Sequence, residues 1–324
     1  MAKNRDWTKD HDFVYIPDDE ENDILARYGF TEKEGDRGNL TQWAVVGDGS
    51  FFASNPTVKE LESGLYELIW HNKVSDWTFM RQTINTDELY ELPTEEIDEI
   101  LNDVKKFWKK SDMYKKHKLL HKRGILLYGD PGCGKSGILQ LCMKHIVEDL
   151  KGIIINLKDE DSVKAYVETI PKFRNIEPNR PLVVIIEDID AIAAENAYVN
   201  SMLLNILDGV KQIENVVYIA TTNYPEKLEE RITNRPSRFD RRYYIAPPSQ
   251  DVRRAYLQNK GKDLDIDIER WVKDTDTLSL SHLKELFISV CLLDCDYDHA
   301  IANLKGLKKT PRRKNQSSIG FSAE

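Results

Sequence analysis

The feature that most constrains this chain is a glycine-rich segment, Gly-Asp-Pro-Gly-Cys-Gly-Lys-Ser, at residues 129–136. It fits the pattern G-x-x-x-x-G-K-[ST] and lies between an apolar run, residues 125–128, and a segment with helical character. Glycines at these positions allow backbone N–H groups to converge on phosphate oxygens without obstruction by side chains. The segment therefore predicts a strand, a phosphate-binding loop and a helix whose positive N-terminal end faces the anion.

Two side chains of this loop have distinct expected roles. Lys135 would reach the β- and γ-phosphates as a compact positive charge, and Ser136 would ligate Mg²⁺. The sequence thus predicts ATP and Mg²⁺ as cofactors. The residues expected to bind the nucleotide from this segment are Gly129, Asp130, Pro131, Gly132, Cys133, Gly134, Lys135, Ser136 and Gly137.

Short apolar runs recur along the chain and indicate the class of fold. They are bounded by turn or polar residues, which is typical of parallel strands buried on both faces. The segment that opens at Pro93-Thr94 and the residues from about 251 onward have helical patterns instead. The sequence predicts an α/β fold with a parallel five-stranded sheet and helices on both faces. The five runs are residues 125–128, 153–155, 182–186, 216–219 and 243–245.

Acidic residues directly follow the apolar run at residues 182–186. A phosphate-loop ATPase requires one acid to hold the magnesium shell and another to orient and polarise the attacking water. We expect Glu187 to join Ser136 at the metal and Asp188 to act on the water. This order is the reverse of the usual Asp-Glu, so Asp188 is shorter by one methylene and the water or the strand end must shift. Asp190 is a weaker candidate that could instead support the loop.

The run at residues 216–219 leads to Asn223 and then to an arginine-rich segment. The amide of Asn223 could hydrogen-bond the attacking water or the γ-phosphate. Arginines from a neighbouring subunit can stabilise charge that develops on the γ-phosphoryl group, and a guanidinium suits this task because it stays charged. An isolated arginine cluster is more often an ion-paired surface, but its position after Asn223 favours a catalytic role for Arg235 and Arg238.

Taken together, residues 129–136, 185–190 and 220–242 resemble the AAA family of ATPases. Several of these motifs are most similar in sequence to those of one branch of the family. That branch includes the mitochondrial inner-membrane chaperone for the folded Rieske iron–sulfur protein and shares the inverted Glu-Asp order. The resemblance covers roughly residues 94–300. It implies a small helical lid, a homo-oligomeric ring (hexamer or heptamer), Asn223 as sensor 1, and Arg235 and Arg238 as arginine fingers.

The chain also departs from that pattern. The stretch between Leu228 and Arg235 contains one extra residue. The lid segment, residues 278–286, resembles the family's lid motif but has small residues and no sensor arginine; by this resemblance Ser281 would lie near the nucleotide. The loop after the second strand lacks the aromatic-Gly pair that threading unfoldases use to grip peptides. Tyr166 could take that place, although a packing role on a helix face is favoured.

Composition limits the location and the partners. The net charge of −9 and the pI near 5.4 argue against a surface built to coat nucleic acid. No stretch approaches the roughly 20 apolar residues of a membrane span, and the charged start is not a secretory signal. We therefore expect a cytoplasmic protein (host cytoplasm if viral) with no membrane span, and four cysteines that form no disulfide framework.

These observations suggest four parts with different roles. We expect an N-terminal client- or partner-binding domain that is mostly β (α+β) at 1–88, the ATPase core at 89–248, the lid at 249–304, and a flexible basic tail at 305–324. The leading hypothesis is a protein remodeller or assembly chaperone whose N-terminal domain binds a protein client. A nucleic-acid-associated motor or loader, based on the basic segments 105–123 and 305–314, and an ATP-gated scaffold remain as alternatives.

Overall fold

The chain divides into two compact units, residues 1–59 and 60–324. In the first unit, strands β1 (Gln42–Gly47) and β2 (Ser50–Ser54) pair as an antiparallel hairpin, so the predicted β character of this region is confirmed there. Residues 1–41 lie outside the described residues. The computed structural model describes residues 42–47, 50–54, 57–72, 75–84, 95–208, 212–228, 237–262 and 264–309.

The second unit is built on a seven-stranded sheet. The strands lie in the order β4-β3-β6-β7-β8-β5-β9, and all neighbours are parallel except β3 and β4. The α/β prediction is confirmed, but the sheet has two strands more than the five predicted. The strands are β3 (Gly64–His71), β4 (Asp76–Gln82), β5 (Lys122–Tyr128), β6 (Ile153–Leu157), β7 (Leu182–Ile186), β8 (Val216–Thr222) and β9 (Arg241–Tyr244).

The two additional strands come from the region that the sequence analysis assigned to a separate N-terminal domain. Strand β3 pairs in parallel with β6, with Gly64 opposite Ile153, and β4 closes that edge of the sheet in antiparallel pairing. In β3 the buried residues alternate with partly exposed ones, so Tyr66 and Leu68 face the core. The boundary between compact units therefore falls after residue 59 rather than after residue 88.

Helices cover both faces of this sheet because the central strands bury side chains on each side. Neighbouring residues of β6 show the division, since Ile153 and Ile155 belong to one apolar cluster and Ile154 to the other. The cluster with Ile154 contains residues of α1 and α3, and the opposite cluster contains residues of α4, α5 and α6. The helices are α1 (Glu95–Lys109), α2 (Ser111–Lys116), α3 (Lys135–Glu148), α4 (Glu160–Ile176), α5 (Ile189–Glu195) and α6 (Ala197–Asp208).

The remaining helices form the predicted helical lid, which has a core of its own. Leu257, Trp271, Leu283 and Leu286 are buried together in this third cluster. The last helix continues to Lys309, so residues 305–309 are helical rather than part of the predicted tail. No helix among the described residues is both long and apolar enough to cross a bilayer. The lid comprises α7 (Gln250–Lys260), α8 (Ile268–Asp274), α9 (Leu280–Phe287), a π-helical turn (Ile288–Leu292) and α10 (Tyr297–Lys309).

Candidate nucleotide site

The predicted phosphate loop joins the end of β5 to the start of α3. Gly132 and Gly134 have φ angles of +77° and +103°, which residues with a side chain rarely adopt. A Cβ on Gly132 would also lie 2.7 Å from Ser281 Oγ and 2.8 Å from Ser279 Oγ of the lid. The loop therefore needs glycine both for its backbone conformation and for the close approach of the lid.

Lys135 begins helix α3 and is only 6% exposed. Its Nζ donates hydrogen bonds to the carbonyl oxygens of Gly129 (2.8 Å) and Asp130 (2.9 Å). Burial lowers the pKa of Lys135 below its ordinary value, while nearby groups such as Asp188 oppose that shift. The ammonium group is thus fixed at the phosphate loop, and its predicted contact with phosphate stays a prediction.

Ser136 and Glu187 are brought together from different elements. Ser136 Oγ donates to Glu187 Oε2 over 3.3 Å, which joins the first turn of α3 to the end of β7. A hydroxyl and a carboxylate are the oxygen ligands that Mg²⁺ accepts, and this ion is usually held by few protein groups together with phosphates and water. Because the pair offers two such oxygens, it fits a Mg²⁺ site that phosphates and water would complete.

The acidic segment after β7 forms hydrogen bonds with the end of β8. Asn223 Nδ2 donates to Asp188 Oδ1 over 3.0 Å, so two predicted catalytic side chains are in direct contact. Asp190 accepts a 2.6 Å hydrogen bond from Thr222 Oγ1, which is the loop-supporting position considered for it. The backbone N–H of Asp188 donates to Thr221 Oγ1 over 3.1 Å. Neither threonine differs in the sequence from an ordinary strand residue, so neither could be predicted as part of the site.

Arg238 forms an ion pair with an acid of its own chain. Its side chain is 5% exposed, and its Nε lies 2.8 Å from Oδ2 of Asp208, which is itself only 11% exposed. This guanidinium is consequently paired within its own chain. The predicted finger role of Arg238 would require this pair to open, and it stays a prediction. Arg235 lies outside the described residues, and its role stays a prediction.

Two further predicted residues have clear positions. Ser281 lies against the phosphate loop, since its backbone N–H donates to the carbonyl oxygen of Gly132 over 3.3 Å. Tyr166 is 1% exposed in helix α4, and its hydroxyl lies 3.0 Å from that of Tyr218. The favoured packing role of Tyr166 therefore fits the structure, and this side chain is not exposed to a client.

Comparisons with known proteins identify a family and several similar proteins. Residues 125–247 match the model of the family described as "ATPase family associated with various cellular activities (AAA)". The ATP-dependent zinc metalloprotease FtsH 2 of Phytoplasma mali is 30% identical over 218 residues, which cover 61% of this chain and 30% of that protein. The proteasome-activating nucleotidase of Methanothermobacter thermautotrophicus is 26% identical over 257 residues, covering 70% of this chain and 62% of that protein.

A third relative extends this comparison. The cell division cycle protein 48 homolog of Archaeoglobus fulgidus is 30% identical over 175 residues, which cover 48% of this chain and 23% of that protein. The matched part thus spans between 23% and 62% of the length of these three relatives. These matches do not test the predicted branch, which stays a prediction.

Proposed function

The chain contains an AAA ATPase domain, and we propose that this domain hydrolyses Mg-ATP with the residues gathered around its phosphate loop. The observation that supports this is the meeting of three strand ends at one edge of the sheet. There β5 leads to Lys135, and β7 and β8 bring Asp188 into contact with Asn223. In α/β folds ligands bind outside the carboxyl ends of parallel strands, so the catalytic groups lie where the nucleotide would bind.

Each of these side chains has a defined task in hydrolysis. Lys135 and the loop N–H groups neutralise phosphate charge, and Ser136 with Glu187 would hold Mg²⁺, which supplies charge compensation for the β- and γ-phosphates. The carboxylate of Asp188 accepts a hydrogen bond from the attacking water and orients it. The amide of Asn223 carries two N–H groups; one is donated to Asp188, and the other is left for the water or a phosphate oxygen.

Replacement of Asp188 by asparagine tests this proposal. The change keeps the shape of the side chain but removes its basicity, so we expect turnover to fall by at least about a hundredfold while ATP binding is retained. The matched control is Asp161→Asn, which alters an exposed carboxylate on helix α4. Turnover of the Asp188→Asn variant within about tenfold of the wild type would contradict the assigned role, and a wild-type chain that binds ATP without turnover would favour the ATP-gated scaffold.

The second proposed element is a homo-oligomeric ring of six or seven subunits that completes the site in trans. Arg238 is engaged by Asp208, so the proposal now rests on Arg235 as the principal finger. Native mass spectrometry of the Asp188→Asn variant with ATP would give the subunit number. In the ring, Arg235→Ala is expected to lose hydrolysis and keep ATP affinity, whereas full turnover would exclude a shared arginine at this position.

We further propose that the ATPase remodels or assembles a protein client. One relative is by its name a proteasome-activating nucleotidase, and in this chain the ATPase is joined to a separate compact N-terminal unit. That unit, rather than the whole of residues 1–88, is the candidate for client recognition. A client should change the steady-state ATPase rate, and this change should vanish when residues 1–59 are deleted. An unchanged rate for every candidate client would argue against the remodelling role.

A nucleic-acid-associated motor is the second candidate, and one surface favours it. The end of α1 and the segment through α2 expose a group of lysines, and clustered cations bind phosphate backbones despite a negative net charge. We expect this binding, if it is functional, to weaken steeply with salt and to require these residues. Salt-insensitive or absent binding of DNA and RNA would eliminate this candidate. The lysines are Lys105, Lys106, Lys109, Lys110, Lys115, Lys116 and Lys118.

A further inference from the structure

Three consecutive residues at the end of strand β8 hydrogen-bond to the acidic segment that follows β7. Thr221 Oγ1 accepts from the backbone N–H of Asp188 (3.1 Å), and Asn223 Nδ2 donates to the carboxylate of the same residue (3.0 Å). Thr222 Oγ1 donates to the carboxylate of Asp190 (2.6 Å). We call Thr221, Thr222 and Asn223 the strand-end clamp. Two of its three contacts converge on Asp188, one on its backbone and one on its side chain.

The backbone at Asp188 has an unusual conformation. Its φ and ψ are +47° and +50°, in the left-handed region, which residues with a Cβ occupy only sparsely. Such a conformation persists where surrounding contacts over-determine it, and it is frequent at functional sites. Here the contacts are those of the clamp together with the 2.7 Å hydrogen bond that the carbonyl oxygen of Asp188 accepts from the backbone N–H of Ala191. Thr221 supplies the acceptor for the N–H of Asp188, and it is itself buried, at 3% exposure.

This conformation has a chemical consequence for a short acid. Aspartate reaches one methylene less far than the glutamate that usually polarises the water in these ATPases, so the direction in which its Cβ leaves the backbone decides where the carboxylate lies. That direction is set by φ and ψ at Asp188. A side chain with only one rotatable bond before its carboxyl carbon cannot correct a backbone error of about 1 Å, and misplacement of this size can cost a hundredfold in rate.

We propose that Thr221 is a positioning residue for ATP hydrolysis: its hydroxyl holds Asp188 in the left-handed conformation, which aims the short carboxylate at the water. This inference rests on the proposed role of Asp188. Thr221 itself touches neither nucleotide nor water in this role and acts through the backbone of Asp188 alone. Asn223 hydrogen-bonds to the carboxylate of Asp188. The same strand end therefore holds both the backbone and the carboxylate of Asp188.

The experiment compares two threonine-to-valine variants of the full chain. Thr221→Val keeps the shape of the side chain and removes the acceptor, so we expect kcat to fall by at least about tenfold, given the sensitivity of catalysis to position, with ATP affinity and KM unchanged. Thr169→Val is the matched control, because Thr169 is equally buried at 3% and its hydroxyl has no hydrogen-bond partner among the residues that the structure describes. Thr221→Ser restores the hydroxyl and should restore kcat.

A double variant separates positioning from general destabilisation. In the Asp188→Asn background, Thr221→Val should cause no further loss of kcat, because both changes act through the same carboxylate and their effects are not additive. Equal kcat values for Thr221→Val and Thr169→Val would overturn the proposal, as would a Thr221→Ser variant as slow as Thr221→Val. Turnover close to that of the wild type in Asp188→Asn alone would instead show that the proposed catalytic role of Asp188 is wrong.

Discussion

Replacing Arg238 with alanine distinguishes a structural arginine from an arginine finger. In the structure the Arg238 guanidinium is buried, and its Nε lies 2.8 Å from the carboxylate of Asp208 at the end of helix α6. The alanine variant would leave this carboxylate nearly buried without its principal partner. We therefore expect the variant to lose stability in the isolated subunit, whether or not a ring forms.

The size of the expected loss of stability follows from the burial of both Arg238 and Asp208. Removal of one partner of a buried ion pair typically costs about 3–5 kcal/mol. Lys122 also attracts Asp208 and would compensate part of the lost charge, so we expect the lower end, about 3 kcal/mol. A domain of 150–250 residues loses roughly 2–4 °C of melting temperature per kcal/mol, which corresponds to a decrease of about 6–12 °C.

Differential scanning calorimetry and urea denaturation at protein concentrations that keep the chain monomeric would measure this loss. The matched control is Arg254→Ala, which removes a guanidinium whose Nε lies 2.7 Å from Glu269, a carboxylate that is 67% exposed. Such exposed pairs contribute little to stability because solvent screens them. A third variant, Arg238→Met with Asp208→Leu, removes both charges and should regain part of the stability, because apolar pairs often replace buried ion pairs at little cost.

The opposite result would refute the structural assignment. If Arg238→Ala melts within about 2 °C of the wild type, binds ATP normally and fails to hydrolyse it, then Arg238 acts as a finger after all. In that case the contact with Asp208 would have to open when subunits assemble, and the roles proposed for Arg235 and Arg238 would need to be exchanged.

Two further predictions concern buried groups. Burial raises the pKa of the Cys142 thiol to about 12, so iodoacetamide at neutral pH should label exposed Cys295 and reach Cys142 only after unfolding; equal labelling rates in the native protein would contradict this. Burial also raises the pKa of Tyr218 to about 12, whereas an unfolded tyrosine ionises near about 10. The contribution of Tyr218 to the free energy of unfolding is therefore complete below about pH 10 and decreases up to about pH 12. Tyr218→Phe should then flatten the alkaline decline of the urea midpoint. An unchanged slope of the urea midpoint against pH would refute the argument.

The features that the sequence predicted correctly are those with local causes. The phosphate loop depends on glycines adjacent to one another in the chain, and strand β7 is a run of five residues that are all buried. The contact between Ser136 and Glu187 was also predictable, because the carboxyl ends of parallel strands meet at one edge of the sheet. Together these rules placed Lys135 and Asn223 at the same site.

The features that the sequence did not predict depend on partners distant in the chain. Strand β3 alternates buried and partly exposed residues, as a strand of a separate β unit would, and its pairing with β6 is visible only in the folded sheet. The hydroxyl of Thr221 acquires its role from Asp188, 33 positions away. Similarly, a sequence rich in arginine does not show which of them meets an acid of its own chain, as Arg238 does at Asp208.

The hydrogen bond from Ser281 to the carbonyl oxygen of Gly132 gives the lid a mechanical role. Helix α9 contributes to the separate apolar cluster of the lid, so a displacement applied at its first turn is transmitted to neighbouring helices rather than absorbed locally. The predicted phosphate loop is thus also the point at which the first turn of α9 is hydrogen-bonded. Helix α9 is about 12 Å long. We therefore expect a shift of the loop during the proposed ATP cycle to move the helices of the lid together.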